Sequence, residues 1–238
     1  MKIQILSDIH LEFGKWPRQV DINKIDADVT VLAGDIGVGL QGIEWALTIE
    51  RPVIYVFGNH EYYGERPMTK LWEKAQKKVR GTNVHLLNNE SLLIDDPQTG
   101  ERVRFLAATL WTDFCILGAD KQDDMMCYAQ ETMSDYANIF VTRRGQRQIE
   151  LGTTARSGDR LTPRKTLSMH HESRGFLEQA LRHTPDPNRL MEDESWSKTF
   201  VVTHHAPSAR SLIYEKAVSP TDAAYASNLE TQVGQVDL

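Results

Sequence analysis

Cysteine is scarce, basic excess is missing and no apolar run is long. Only Cys115 and Cys127 occur among 238 residues, so no disulfide framework stabilises the fold and two reduced, partly buried thiols are expected. The formal net charge of −6 removes the general pull toward nucleic acid that a basic stripe would exert. The apolar opening at residues 2–6 runs straight into polar residues and is too short for a signal peptide or a membrane span. A cytoplasmic protein with no membrane partner is the default expectation. No internal repeat is visible.

What is present is an ordinary globular composition in a length that suits one large α/β domain, or one domain carrying an insertion. Residues 2–6, 29–33 and 53–57 read as short buried strands, and 84–87, 91–94, 103–107 and 199–202 as further strands. Between 41 and 50, Ile43, Trp45, Ala46, Leu47 and Ile49 fit a helical face that Arg51-Pro52 ends. Pro67 suits the first turn of a helix reaching about Arg80, with Gly81 at its end. Residues 96–100, Asp-Pro-Gln-Thr-Gly, have hairpin-turn chemistry. From 113 to 161 the pattern loosens into a cap-like, partly helical insertion. Thr162-Pro163 then gives an N-cap and a first-turn proline to the helix behind it. Strands alternating with helices argue for a layered α/β sheet.

The chemistry-bearing residues fall where strands end. Asp8 and His10 follow the first strand and Gly34-Asp35 the second. Gly58-Asn59-His60-Glu61 follows residues 53–57, and Thr203-His204-His205-Ala206-Pro207 follows 199–202. Open α/β sheets bind ligands outside the carboxyl ends of their strands, so Asp, His and Asn side chains converge on one edge. Carboxylates and neutral imidazoles suit Zn, Mn and Fe, and one carboxylate has two oxygens with which to bridge two ions. Gly34 and Gly58 permit tight turns where a side chain would obstruct.

These segments resemble the blocks of the calcineurin-like metallophosphoesterases. Asp8-Ile9-His10 is similar to the D-x-H block, Gly34-Asp35 to G-D, Gly58-Asn59-His60-Glu61 to G-N-H-[DE], and the segment from Thr203 to the H-block. The order holds from the first residues to about Pro207, so the resemblance implies a layered α/β-β/α sandwich over 1–238. It further implies that Asp8 and His10 bind a first metal, that Asp35 bridges two, and that Asn59 and His204 bind the second. His60 would act beside the substrate phosphate. His205 is read either as a substrate neighbour or as a support for the ligands. The implied cofactors are two divalent ions (Mn, Fe, Zn or Ni), about 3.5–4 Å apart, which clamp a phosphate and activate a water.

One block of the family is missing, since no two of the eight histidines form the G-H-x-H pattern. The expectation is a C-terminal truncation that leaves out the last sheet strands, exposes apolar sheet surface and weakens metal binding and turnover. The leading reading is therefore a metal-dependent hydrolase of a phosphodiester or small phosphomonoester. The same site acting on nucleic acid is disfavoured by the acidic balance and the lack of an aromatic-basic groove. The runner-up is a phosphoesterase-fold binding module with little or no catalysis. His170-His171 reads as an ordinary helix pair, one buried and one exposed, and Arg143-Arg144 with Arg147 as a solvated charge cluster.

Overall fold

A computed structural model describes residues 1–14, 20–64, 67–141, 149–150, 153–154, 159–183, 195–212 and 218–230. Strands β1 (Ile3–Leu6), β2 (Val29–Ala33), β3 (Val53–Val56) and β4 (Val84–Leu86) form a parallel sheet in chain order. Leu6 lies opposite Leu32 and Ala33 opposite Val56, so the carboxyl ends of the first three strands are level. A second sheet joins β5 (Glu90–Asp95), β6 (Arg102–Ala108) and β9 (Lys198–Thr203). β5 and β6 are antiparallel and β9 runs parallel to β6. A small hairpin, β7 (Ile149–Glu150) with β8 (Thr153–Thr154), stands apart from both.

Side chains alternate across a strand, and that period sorts the core into layers. Val29, Val31 and Ala33 on β2 and Ile54 and Val56 on β3 meet Val103, Phe105 and Ala107 of β6 and Val202 of β9 between the sheets. The intervening residues Leu32, Val53 and Tyr55 face the opposite way. They pack against α1 (Gln41–Ala46), α2 (Met68–Val79) and α3 (Gln122–Thr132) through Ile43, Leu71, Ala75 and Met126. On the far side of the second sheet, Leu106 meets Leu177 and Phe176 of α5 (Pro163–Arg182). The result is a helix–sheet–sheet–helix sandwich, the layered architecture expected from the alternating pattern.

Local chemistry accounts for the ends. The first helix stops at Ala46, four residues before the expected end. Thr48 and Ile49 donate to Trp45 and Ala46 three residues back, and the Thr48 hydroxyl donates to the Trp45 carbonyl at 2.7 Å. Those tightened bonds finish the helix in a narrower turn. Pro67 sits one residue outside α2, where its carbonyl accepts from Lys70 and Leu71 at 3.0 and 3.1 Å. At α5 the Thr162 side chain accepts from the Lys165 amide, and Pro163 opens the helix. Within residues 113–161 the described portion contains α3 and α4 (Asp135–Asn138). The Arg143-Arg144-Arg147 cluster and residues 233–238 lie outside the described residues. Of the histidine pair on α5, His170 is buried and His171 exposed.

Phe105 is fully buried between the sheets, so Phe105→Ala should destabilise the protein by about 3–5 kcal/mol. Chemical denaturation measures this, and a loss below about 1 kcal/mol would contradict the two-sheet core.

Candidate metal centre

Past the level strand ends the backbone makes its own ladder. The Asp8 amide donates to the Gly34 carbonyl at 3.1 Å, and the His10 amide to the Asp35 carbonyl at 3.0 Å. Asp8, His10 and Asp35 all take left-handed backbone conformations, with φ of 54°, 51° and 54°. Such a conformation costs a non-glycine residue roughly 1–3 kcal/mol and persists only where the surroundings over-determine it. The ladder holds three chemistry-bearing side chains in that strained arrangement.

Asp35 is the hub. Its Oδ2 lies 3.9 Å from His10 Nε2, and its Oδ1 lies 3.5 Å from His204 Nε2. Donor atoms of Asp8, His10 and Asp35 all fall within 4.8 Å of one another. Asn59 Oδ1 is 3.0 Å from His204 Nε2. Two groups therefore share one carboxylate, Asp8 and His10 on one side and Asn59 and His204 on the other.

The hydrogen-bond partners assign the tautomers, and the assignment creates a conflict. His204 Nδ1 is 2.9 Å from the Ala33 carbonyl, to which it donates, leaving a lone pair on Nε2. Asn59 Nδ2 donates to Asp135 Oδ1 at 2.8 Å, so the amide presents its carbonyl oxygen to His204. An oxygen lone pair and a nitrogen lone pair thus face each other, with a carboxylate oxygen beside them. Only positive charge relieves this, either a proton on His204 or a cation between the groups. Carboxylate, neutral imidazole and amide oxygen suit Zn, Mn or Fe, so the residues fit a divalent cation.

A buried carboxylate ties the loops together. Glu61 accepts from the amides of Asp35, Ile36 and Gly58 at 3.0, 2.8 and 2.8 Å and from the Tyr55 hydroxyl at 2.9 Å. Burial and the Asp35 charge push the Glu61 carboxyl upward, while the donated bonds favour its ionised form. Glycine is required on either side. A Cβ at Gly34 would lie 2.4 Å from His204 Nδ1, and one at Gly58 would lie 2.1 Å from Asp35 Oδ1.

His60 stands at the same edge. Its amide donates to Asp35 Oδ1 at 2.9 Å, and its ring stacks on Tyr63 with centroids 4.2 Å apart. Tyr63 in turn donates to Asp135 at 2.6 Å. Glu12 Oε1 lies 3.1 Å from His60 Nδ1 and 3.0 Å from His10 Nδ1. His205 is buried behind His204, edge-on at 4.9 Å, with its Nδ1 donating to the Thr109 carbonyl at 3.1 Å and its ring 5.0 Å from Trp111. All seven residues singled out in the sequence lie at this edge. Glu12 and Asp135 did not stand out there: Asp135 meets Asn59 from 76 positions away, and Glu12 joins its neighbour His10 to His60, 48 positions away.

The model for the calcineurin-like phosphoesterase superfamily domain matches residues 1–122, just over half the chain, and the chain belongs to that family. By class it is a phosphoester hydrolase, and members of this family generally use divalent metals. The crystal structure of phosphopantetheinyl hydrolase from Mycobacterium tuberculosis is similar in fold, with a TM-score of 0.59 and 17% identity over 95% of this chain and 75% of that one. No curated protein matches the sequence. No helix among the described residues is long and apolar enough to cross a membrane.

Removing the Glu61 carboxylate strands three amide donors and a phenol in a dry interior. Glu61→Ala should therefore cost roughly 3 kcal/mol or more, and a denaturation curve matching wild type would contradict its anchoring role. Burial also drives His205 well below the ordinary imidazole range, with nearby His204 adding to the effect, and burial depresses His170 likewise. A folded-state value below the unfolded one means that stability is complete above an unfolded pKa of about 6.5 and is lost as pH falls through it. These two groups thus withdraw stability between pH 7.5 and 5.5, so the denaturation midpoint should fall less over that range in His205→Asn than in wild type. An equal or larger fall in the variant would contradict the neutral, buried assignment.

Proposed function

We propose that this protein hydrolyses phosphate esters with two divalent ions seated on either side of Asp35. Asp8, His10 and Asp35 would hold one, and Asp35, Asn59 and His204 the other. The observation that carries this reading is the unrelieved facing of Asn59 Oδ1 and His204 Nε2 beside the Asp35 carboxylate. Bound there, such ions supply Lewis-acid charge to phosphate oxygens and lower the pKa of a water toward about 7. Manganese, iron, zinc and nickel all remain compatible with the donor types.

The protein's own groups do the rest. Asp35 keeps its two oxygens aimed at different histidines because the His60 amide and the Glu61-anchored loops fix its position. Asp135 turns the Asn59 amide so that oxygen faces inward. His60, with Nδ1 engaged by Glu12 and its ring face on Tyr63, has Nε2 left to take up a proton from solvent and, as the imidazolium, to pass it to the departing oxygen. General acid catalysis of this kind contributes typically 10²–10⁴-fold. His205, buried and held by Thr109, supports the His204 ring rather than meeting substrate.

The substrate is read as a phosphodiester or small phosphomonoester, and the likeness to phosphopantetheinyl hydrolase adds phosphopantetheine-bearing diesters to the panel worth assaying. Chelator should abolish hydrolysis and Mn²⁺ should restore it, while His60→Asn should lower kcat by about 10²–10⁴-fold. Hydrolysis indifferent to chelation would overturn the metal reading. Mn²⁺ uptake with no turnover on any ester would instead favour a binding module.

A further inference from the structure

The Glu12 carboxylate belongs to neither proposed ligand set, yet one of its oxygens serves two imidazoles at once, His10 of the first set and His60. Oε1 lies 3.0 Å from His10 Nδ1 and 3.1 Å from His60 Nδ1, and the two rings meet edge to face with centroids 4.4 Å apart. Oε2 is buried and has no hydrogen-bond partner. A carboxylate with one oxygen spent on two donors and the other on none is in an arrangement that solvation does not explain. Its burial has to be offset by the two contacts it makes.

An ionised carboxylate only accepts, so each imidazole must bring its proton to Nδ1. That choice decides what the opposite nitrogen can do. At His10 it leaves the Nε2 lone pair facing Asp35 Oδ2 across 3.9 Å, the disposition of a ligand. At His60 it leaves Nε2 as the nitrogen open to take up and pass on a proton. Without Glu12, both rings could carry the proton on Nε2, which would remove a ligand atom at His10 and leave Nδ1 of His60 the basic nitrogen, pointing the wrong way.

We propose that Glu12 is a positioning residue that sets the tautomer of His10 and His60 together, linking the metal-facing nitrogen of one to the nitrogen of the other that takes up and passes on a proton. The proposal rests on the phosphoesterase reading for its consequence but not for its geometry. The local sequence favours it, since Glu12 lies in the short turn Leu11–Phe13 directly after His10. That turn is tethered by the Leu11 amide, which donates to the Ile36 carbonyl at 2.9 Å. The carboxylate is therefore fixed to the loop that carries His10 and to the Asp35 loop, to which the His60 amide is also bonded. Carboxylate partners of ligand histidines typically contribute 10–100-fold to metal affinity or activity.

The test reads ring nitrogens directly. Long-range ¹H–¹⁵N spectra of the metal-free protein at pH 8 should show His10 and His60 both protonated at Nδ1. In Glu12→Ala both should shift toward the Nε2–H form that imidazoles favour in water, while a fold-sensitive spectrum stays native. Glu12→Gln preserves size and removes the charge, so it gives the same reading should Glu12→Ala fail to fold, with a partial shift expected. In the Mn²⁺-loaded protein, Glu12→Gln should lower kcat or metal affinity by about 10–100-fold. Wild-type rings already in the Nε2–H form, or tautomers unmoved in both variants, would overturn the proposal. Because the spectra need no turnover, a protein that hydrolyses nothing would count against the phosphoesterase reading alone.

Discussion

Lone pairs that face lone pairs set the conditions at the carboxyl edge of this fold. Asn59 Oδ1 and His204 Nε2 are turned inward by bonds on their outer sides, to Asp135 and to the Ala33 carbonyl, and the Asp35 carboxylate beside them is held by the His60 amide at Oδ1. Each outer bond uses up the polarity that would otherwise let the group turn away. What remains is a concentrated set of electron-rich atoms with little freedom to reorient. Such an arrangement is unfavourable by itself and becomes favourable once positive charge enters.

The rest of the molecule is arranged to tolerate that tension. Of the three left-handed residues Asp8, His10 and Asp35, Asp35 sits on a loop that a single buried carboxylate, Glu61, clamps through Asp35, Ile36 and Gly58. Asp8 and His10 are laced to that loop by their own amides. Glu61 is itself held by Tyr55, whose ring lies in the dry helix-facing layer of the parallel sheet. The core and the centre are thus mechanically continuous. Phe57 extends the same layer, edge-on to Tyr55, Tyr62 and Trp72. Strain at the edge persists because the layer beneath it is close-packed and does not yield.

How much of this the sequence disclosed depends on the range of the signal. Strands β1, β2, β3, β6 and β9 were readable from short apolar runs, and the inward side chains from their place just after those runs. Gly34 and Gly58 were readable as turns, and their reason became visible only when Asp35 and His204 were seen filling the space a methyl group would need. Glu12 and Asp135 were not readable. Asp135 takes its meaning from Asn59 across a long stretch of chain, and Glu12, although it also meets His10 two residues away, is set apart from a surface acid only by its second contact, with the distant His60. The end of the first helix and the exact start of the second differ from the expectation for a local reason. Periodicity registers an apolar face but not a turn that tightens at Thr48, nor a proline carbonyl acting from just outside the helix at Pro67.

Anomalous diffraction from crystals soaked in Mn²⁺ probes the central claim most directly. Two peaks flanking the Asp35 carboxylate, one against Asp8 and His10 and one against Asn59 and His204, are what the account predicts. Peaks elsewhere, or an Asp35 that touches no cation while His204 is found protonated on both nitrogens, would contradict it.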